Sequence, residues 1–296
     1  MNTFYAWITG LAERGYLPHS LIYPFVTRGV LAVLLLAPLL GGMSHIVVAR
    51  RLAFFSTALG QAALTGLTIG LVLGEPLGSA YGGIFGFCLL SALGMIYVKR
   101  RSTLPPDTLI GVFMALTLGL GICLLVLATR RFNIHQIEAV MFGSLLTVTD
   151  ADLGILLFVG LGVLALLGVS YNRLVYDSMN PALARVAKID GALVEYLFVL
   201  LLTAAIVVSL KVIGALLVEA LVVVPAATAR NLARSTRVYW ALSVVAAVIT
   251  GVGGIFVSGA WSVPTGGAVV LSLSVLFFIT LAAGAVRSAW EHRGGR

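Results

Sequence analysis

The hydrophobic positions of the chain form long uninterrupted runs, and the polar positions are gathered into short clusters between them. A helix that crosses the hydrocarbon core of a bilayer needs roughly 17 to 25 apolar residues. Nine runs approach this length, and the seventh is short. They cover about residues 26–49, 56–73, 80–98, 108–129, 153–171, 193–210, 212–224, 238–257 and 268–285. The pattern predicts an all-α, polytopic membrane helix bundle of eight or nine spans.

The runs leave no hydrophilic stretch large enough for a separate soluble domain. One membrane domain is expected over residues 21–290, preceded by an interfacial segment over residues 1–20 that contains several tyrosine and tryptophan side chains. A second interfacial helix is expected over residues 132–150, where apolar residues recur at spacings of three and four. His135 and Glu138 on it could share a ligand, but the wet face of an interfacial helix is the interpretation that we favour.

Composition agrees with a membrane protein, since 60% of the 296 residues are hydrophobic and only 10% are charged. A soluble globule would need a more polar surface. The net charge of +8 could suggest nucleic acid, but the basic residues lie in short clusters between apolar runs, as the positive-inside rule describes. A cytoplasmic C-terminus places 14 of the 19 basic residues inside. We therefore expect membrane lipid, and no nucleic acid, as a partner.

The second run carries a polar stripe at intervals of four, four and three residues, formed by Thr57, Gln61, Thr65 and Thr68. This spacing puts the four side chains on one face of a helix. Such a face could line a path for a solute. The threonines could instead bond their own helix backbone or a neighbouring helix, and the spacing leaves both interpretations open.

Glycines recur at every fourth position across the second and third runs, and this spacing is typical of membrane helices whose backbones approach closely. They are Gly66, Gly70, Gly74, Gly78, Gly82 and Gly86.

Ionisable groups inside the runs are few, and Glu219 is the most suggestive because it lies near the middle of the seventh run. It could pair with a cationic substrate, with Lys211 or with a hydroxyl group of another helix. The chain has no GxxxxGK[ST] phosphate loop, and serine, histidine and acid do not cluster as a hydrolytic set. We therefore predict no catalytic residue, no cofactor and no enzymatic activity in this chain.

The chemistry of the chain changes abruptly between residues 207 and 237, where an apolar run ends at Pro225. Proline lacks a backbone N–H and disfavours helix at the residue before it, so the spanning helix is expected to stop or bend there. Residues 226–237 are small and basic, and could form a short helix at the water boundary. Such a segment can dock on a soluble partner, but an ordinary cytoplasmic loop would look the same.

Five stretches, in order, resemble the permease subunits of ABC importers for zinc, manganese and iron: PFVTRGVLA, VARRLAFFSTALGQAALTG, DTLIGVFMAL, FGSLLTVTDADL and LKVIGALLVEALVVVPAATARNLAR. The resemblance covers about residues 24–285. It implies a bacterial inner-membrane permease with three partners: a cytoplasmic ATP-binding subunit, a periplasmic or lipid-anchored solute-binding protein, and a second permease copy, as in a homodimer. It also implies an ATPase-coupling element near residues 225–237, with Pro225, Ala226, Ala227, Thr228, Arg230, Asn231 and Arg234.

The sequence departs from this family in the second run. Family members commonly carry an Asp and a His four residues apart there, where this chain has Thr57 and Gln61. Neutral oxygens ligate transition metals more weakly than a carboxylate with an imidazole. We therefore expect Thr57, Gln61, Thr65 and Glu219 on the translocation pathway and assign no metal ligand. The expected cargo is zinc, manganese or iron. The alternatives are a metal-chelate or siderophore-related cargo, an ion-coupled secondary transporter, and a membrane scaffold without a transport role.

Overall fold

The computed structural model describes residues 10, 23–75, 81–129, 148–179, 184, 187 and 190–294. This part of the chain contains nine α-helices and no strand, which confirms the predicted all-α fold. The predicted interfacial segments, residues 1–20 and residues 132–150 with His135 and Glu138, lie outside the described residues except for Gly10 and residues 148–150. The helices are α1 (Pro24–Ala49), α2 (Phe55–Val72), α3 (Tyr81–Arg101), α4 (Pro106–Thr129), α5 (Asp150–Met179), α6 (Gly191–Ile213), α7 (Ala215–Arg230), α8 (Thr236–Trp261) and α9 (Thr265–Gly294).

Eight of the described helices are long and apolar enough to cross a membrane. The exception is α7, which has 16 residues and is therefore about 24 Å long, less than the hydrocarbon core of roughly 30 Å. Gly214 separates it from α6, with φ 79° and ψ 165°, a conformation that residues with a Cβ atom rarely adopt. The expected eight or nine spans are confirmed, and the boundary predicted near Lys211 lies at Gly214 instead.

The described helices belong to two compact units. The first unit comprises residues 1–45, 144–158 and 216–296, and the second comprises residues 46–143 and 159–215. The first unit therefore holds most of α1, the start of α5, and α7 to α9. The second unit holds α2 to α4, most of α5, and α6.

In the second unit α2 packs against α3, α4 and α6. Thirteen of its 18 residues are buried. It approaches α3 closely: a Cβ atom added to Gly66 would lie 2.5 Å from the carbonyl oxygen of Gly83 and 2.9 Å from the Cα atom of Ile84. The predicted close approach of glycines is confirmed at Gly66 and Gly70, whereas added Cβ atoms at Gly74 and Gly86 would contact nothing within 4 Å.

In the first unit α8 packs closely against both α1 and α9. A Cβ atom added to Gly41 of α1 would lie 2.8 Å from the Cβ atom of Ala247, and one added to Gly254 would lie 2.5 Å from the Cα atom of Val269 in α9. At the opposite end of α1, Arg28 Nε lies 2.9 Å from Asp150 Oδ1, which joins the start of α1 to the start of α5. The helix α1 is therefore held to α5 near its start and to α8 in its second half.

The contact between α2 and α3 generates a stability prediction. Gly66→Ala should lower the free energy of unfolding by about 1 to 3 kcal/mol, because the added methyl group meets backbone atoms that cannot rotate away. Gly86→Ala is the matched control, since Gly86 is exposed and its added methyl group meets nothing within 4 Å. Denaturant titration of both variants in detergent micelles measures the difference, and equal stability of the two would contradict the proposed contact.

Candidate functional site

The predicted polar stripe lies on α2 and divides into two halves by burial. Thr57 and Gln61 are half-buried, whereas Thr65 and Thr68 are fully buried. All four residues belong to the second unit. The stripe therefore begins at a partly accessible end of α2 and runs into the interior of the unit.

The buried threonines donate to backbone carbonyl groups. Thr65 Oγ1 lies 2.8 Å from the carbonyl oxygen of Thr117 in α4, and Thr68 Oγ1 lies 2.7 Å from that of Leu64 in its own helix. Membrane helices use hydroxyl groups in this way to avoid unpaired donors. These bonds favour the packing interpretation for Thr65 and Thr68, and the place of Thr65 on a translocation pathway stays a prediction.

Gln61 differs from the threonines around it. Its Oε1 atom is shielded from solvent and has no hydrogen-bond partner among the described residues. A buried acceptor without a partner costs about 1 to 3 kcal/mol, so proteins keep such groups mainly where a solute or water supplies the missing bond. The half-buried segment of α2 at Thr57 and Gln61 therefore contains a shielded acceptor that is not used in packing, and its place on a translocation pathway stays a prediction.

Glu219 lies in α7 and is half-buried. It interacts with other groups of the protein, so it is not a free carboxylate. It belongs to the first unit, whereas Thr57, Gln61 and Thr65 belong to the second. Among the described residues no three His, Cys, Asp or Glu side chains are grouped closely enough to hold a metal ion. The candidate residues thus belong to two different units, and no metal ligand is assigned.

The helix that contains Pro225 does not stop there, and the predicted stop is wrong. It continues for five more residues and ends at Arg230. Ala226, Ala227 and Ala229 favour helix strongly, and prolines are tolerated in membrane helices when neighbouring groups compensate for the missing N–H. The alternative of a bend at Pro225 stays a prediction. The separate short helix predicted over residues 226–237 is wrong, because residues 226–230 belong to α7 and residues 236 and 237 belong to α8, with a turn between them.

The turn after α7 is attached to α9. Asn231 Nδ2 donates to Thr280 Oγ1 at 3.2 Å, and a Cβ atom added to Gly284, one turn further along α9, would lie 3.0 Å from the carbonyl oxygen of Asn231. The Ser235 side chain then caps α8 by accepting from the Val238 N–H at 3.4 Å. Both ends of this turn are therefore held in place.

The same segment has a buried face and an exposed face. Pro225, Ala226 and Thr228 are buried, whereas Arg230 and Arg234 are exposed, as is Arg237 at the start of α8. Ala227 and Asn231 are half-buried. The seven residues predicted for coupling thus form one continuous element whose small residues pack inward and whose arginines face outward.

The sequence analysis missed the ion pairs at the helix ends of the second unit. Arg50 Nη2 lies 2.8 Å from Asp177 Oδ2, and Lys99 Nζ lies 2.7 Å from Glu195 Oε1. The sequence pattern uses Arg50 and Lys99 only as indicators of membrane orientation. Their acidic partners are 127 and 96 residues away in the sequence, so no local pattern could have indicated the pairs.

Comparison with known proteins identifies similar chains along almost the whole sequence. Residues 22–284 match the family described as "ABC 3 transport family". The "Manganese import system permease protein ScaB" of Streptococcus gordonii is 28% identical over 93% of each chain. The "High-affinity zinc uptake system membrane protein ZnuB" of Haemophilus influenzae is 27% identical over 88% of this chain and 97% of its own. The solved structure "PsaBC from Streptococcus pneumoniae in complex with Fab" has a TM-score of 0.76 at 26% identity and covers 95% of both chains. The resemblance seen in the sequence is confirmed.

The two halves of the stripe should respond differently to loss of their polar atoms. Thr65→Val should lower the free energy of unfolding by about 1 kcal/mol, because the variant loses the bond to the carbonyl oxygen of Thr117. Gln61→Met should leave that free energy unchanged or raise it, because Oε1 has no partner to lose among the described residues. Denaturant titration in micelles measures both variants. A larger loss for Gln61→Met than for Thr65→Val would mean that Gln61 is a packing residue.

Proposed function

Because the chain belongs to the ABC 3 transport family, we propose that it is the membrane-spanning permease subunit of an ATP-binding-cassette importer for zinc, manganese or iron. The observation that carries this proposal is the extent of the family match, which runs from residue 22 to residue 284 and so includes every described helix from α1 to α8. The manganese and zinc permeases similar to this chain support a divalent transition metal as cargo.

The site on α2 supports passage of a cation with weak direct coordination. Thr57 and Gln61 offer neutral oxygens, and Gln61 Oε1 is a shielded acceptor without a partner among the described residues. A neutral acceptor can hold a cation or its hydration shell briefly and release it, whereas a carboxylate with an imidazole would hold a transition metal tightly. Glu219 is proposed as a second pathway residue, located in the first unit.

The energy for transport is proposed to come from a cytoplasmic ATP-binding subunit, because the chain has no phosphate loop of its own. The element from Pro225 to Arg234 is the proposed docking site for that subunit. Its attachment to Thr280 and Gly284 of α9 supports this role, since a force applied to a held turn is passed on to the helices. The exposed arginines would contact acidic groups of the partner.

The same contacts support the proposed orientation of the chain. The basic turn lies beside the C-terminal part of α9, so the three exposed arginines and the C-terminal part of α9 share one end of the first unit. The positive-inside rule favours a cytoplasmic location for that end, and with it for the C-terminus. The protein would then be a multi-pass subunit of a bacterial inner membrane. Its further partners would be a periplasmic or lipid-anchored solute-binding protein and a second permease copy in a homodimer.

A metal chelate or siderophore-related compound is the second candidate cargo. The observation in its favour is that α2 offers only hydroxyl and carboxamide groups at Thr57 and Gln61, while no cluster of three metal-binding side chains lies among the described residues. Neutral hydrogen-bonding groups suit a cargo whose metal already has its ligands. An ion-coupled secondary transporter has less support. It would require the purified chain to move substrate in liposomes without an ATPase.

Cells that lack this chain should contain less zinc, manganese or iron when these metals are scarce, and the intact gene should restore the content. The gene with Gln61→Met should restore an uptake rate about tenfold lower than that of the intact gene. The reason is that the cation loses a hydrogen-bond acceptor of the kind worth about 1.5 to 3 kcal/mol to a charged group. Elemental analysis of starved cells and radiolabelled uptake measure both effects. An unchanged content of all three metals in the deletion strain would exclude the bare ion and leave the chelate as the cargo to test.

Arg230→Glu combined with Arg234→Glu should uncouple the ATPase. The substrate-stimulated hydrolysis of the assembled transporter should fall about tenfold or more, because like charges would then face each other across the docking surface. Arg230→Lys with Arg234→Lys is the matched control, and it keeps the charge and should keep most of the activity. Full stimulation in the double glutamate variant would refute the placement of the ATPase on this element.

A further inference from the structure

Four helix ends meet at the start of α6 in the second unit. Glu195 of α6 is bonded to Lys99 at 2.7 Å and to Arg100 at 3.4 Å, at the end of α3. Three residues further along α6, the Phe198 ring lies 5.5 Å below the Arg50 guanidinium group. Arg50 in turn pairs with Asp177 near the end of α5. The last turns of α1, α3 and α5 and the first turns of α6 therefore lie at one end of this unit.

The basic residues at this end are of two kinds. Arg50 and Lys99 have side chains that are 7% and 23% exposed, and acids neutralise both. Arg101 and Arg173 are exposed, and neither forms an ion pair with another described residue. Arg50 and Lys99 are therefore neutralised within the protein, whereas Arg101 and Arg173 are available to an external anion.

Arg101 lies on the same face of α3 as a strip of exposed apolar residues. Leu90, Leu93, Tyr97 and Arg101 are spaced by three, four and four residues, so they lie on one face of the helix. Leu90 is 66% exposed and Tyr97 is 52% exposed. The Arg101 guanidinium group lies 4.9 Å above the Tyr97 ring, a cation–π contact that holds it beside the aromatic side chain.

The exposed face of α5 also has an arginine beyond an apolar strip. Leu166 and Val169 are exposed apolar residues, at 52% and 84%, and Arg173 and the exposed Tyr176 follow at spacings of four and three. On both helices an exposed apolar strip is therefore followed, within about two turns, by an exposed arginine, and the nearby tyrosine comes before the arginine on α3 and after it on α5. An apolar strip that leads to a basic residue is the order in which a helix meets lipid acyl chains and then the headgroups.

We infer that Arg101 and Arg173 each bind the phosphate of an anionic phospholipid, with Tyr97 at the boundary between headgroup and acyl chain. The guanidinium group matches phosphate oxygens in a bidentate geometry and remains charged at any physiological pH. A soluble protein would have to reach these arginines along the side of an apolar helix face. A lipid covers that face and the arginine together. The inference is independent of the cargo and of the ATPase.

The test is retention of lipid by the purified full-length chain, measured by native mass spectrometry with phosphatidylglycerol or phosphatidylcholine as the added probe. The intact chain should retain phosphatidylglycerol in preference to phosphatidylcholine. Arg101→Gln and Arg173→Gln should each reduce that preference about fivefold, since one arginine near an anionic membrane surface is worth about 1 kcal/mol. Arg101→Lys and Arg173→Lys keep the charge and should keep most of the preference.

The matched control is Arg234→Gln with Arg237→Gln, which removes the same charge from the first unit. An equal loss in this control would show a net-charge effect and overturn the assignment. Unchanged preference in Arg101→Gln with Arg173→Gln would also overturn it. If these variants instead lost a co-purifying protein partner or a second copy of the chain while keeping the lipid preference, the face would be a protein interface. Should the double variant fail to fold, the single variants give the same comparison.

Discussion

The absence of water from the hydrocarbon core is the constraint on which the second unit depends, because a polar helix can be buried there only if protein groups satisfy it. The helix α2 meets this constraint by close packing. Gly66 brings its backbone against Gly83 of α3, and Thr65 donates to the carbonyl oxygen of Thr117 in α4. With these groups paired, the shielded oxygen of Gln61 stands out as an acceptor without a partner in the described part of the chain. Gly66 and Thr65 thus pack α2 against its neighbours, and the proposed pathway would use Gln61 on the same helix.

Charges at the ends of the helices follow a related rule. A cation turned toward the protein interior requires an acid beside it, and Arg50 and Lys99 have Asp177 and Glu195. A cation turned outward needs only solvent, lipid or a partner. The start of α6 is therefore fixed by paired charges, while the arginines around it remain available for contacts outside the chain. In the basic cluster at the end of α3, Lys99 therefore fixes the start of α6 and Arg101 is exposed to contacts outside the chain.

The element from Pro225 to Arg234 combines attachment with exposure. Its small residues are buried and Asn231 is bonded to Thr280 of α9, so the turn is held to the rest of the first unit. Its arginines face outward at the end of a helix of only 16 residues. Gly214 at the other end of that helix has a backbone conformation that separates it from α6. A short helix with one exposed face and one attached turn suits the proposed transfer of force from a bound partner to the membrane helices.

The sequence by itself determined the membrane-spanning helices, the polar stripe of α2, the glycine contacts at Gly66 and Gly70, and the family. These properties depend on length, apolar runs and residue spacing, all of which are local. Tertiary structure decided the rest. It showed that Thr65 bonds Thr117, that Asp177 and Glu195 neutralise two of the basic residues, and that the helix passes through Pro225 to Arg230. A hydrogen bond or ion pair between residues 52 to 127 positions apart depends on which helices become neighbours, and no local pattern of residues carries that information.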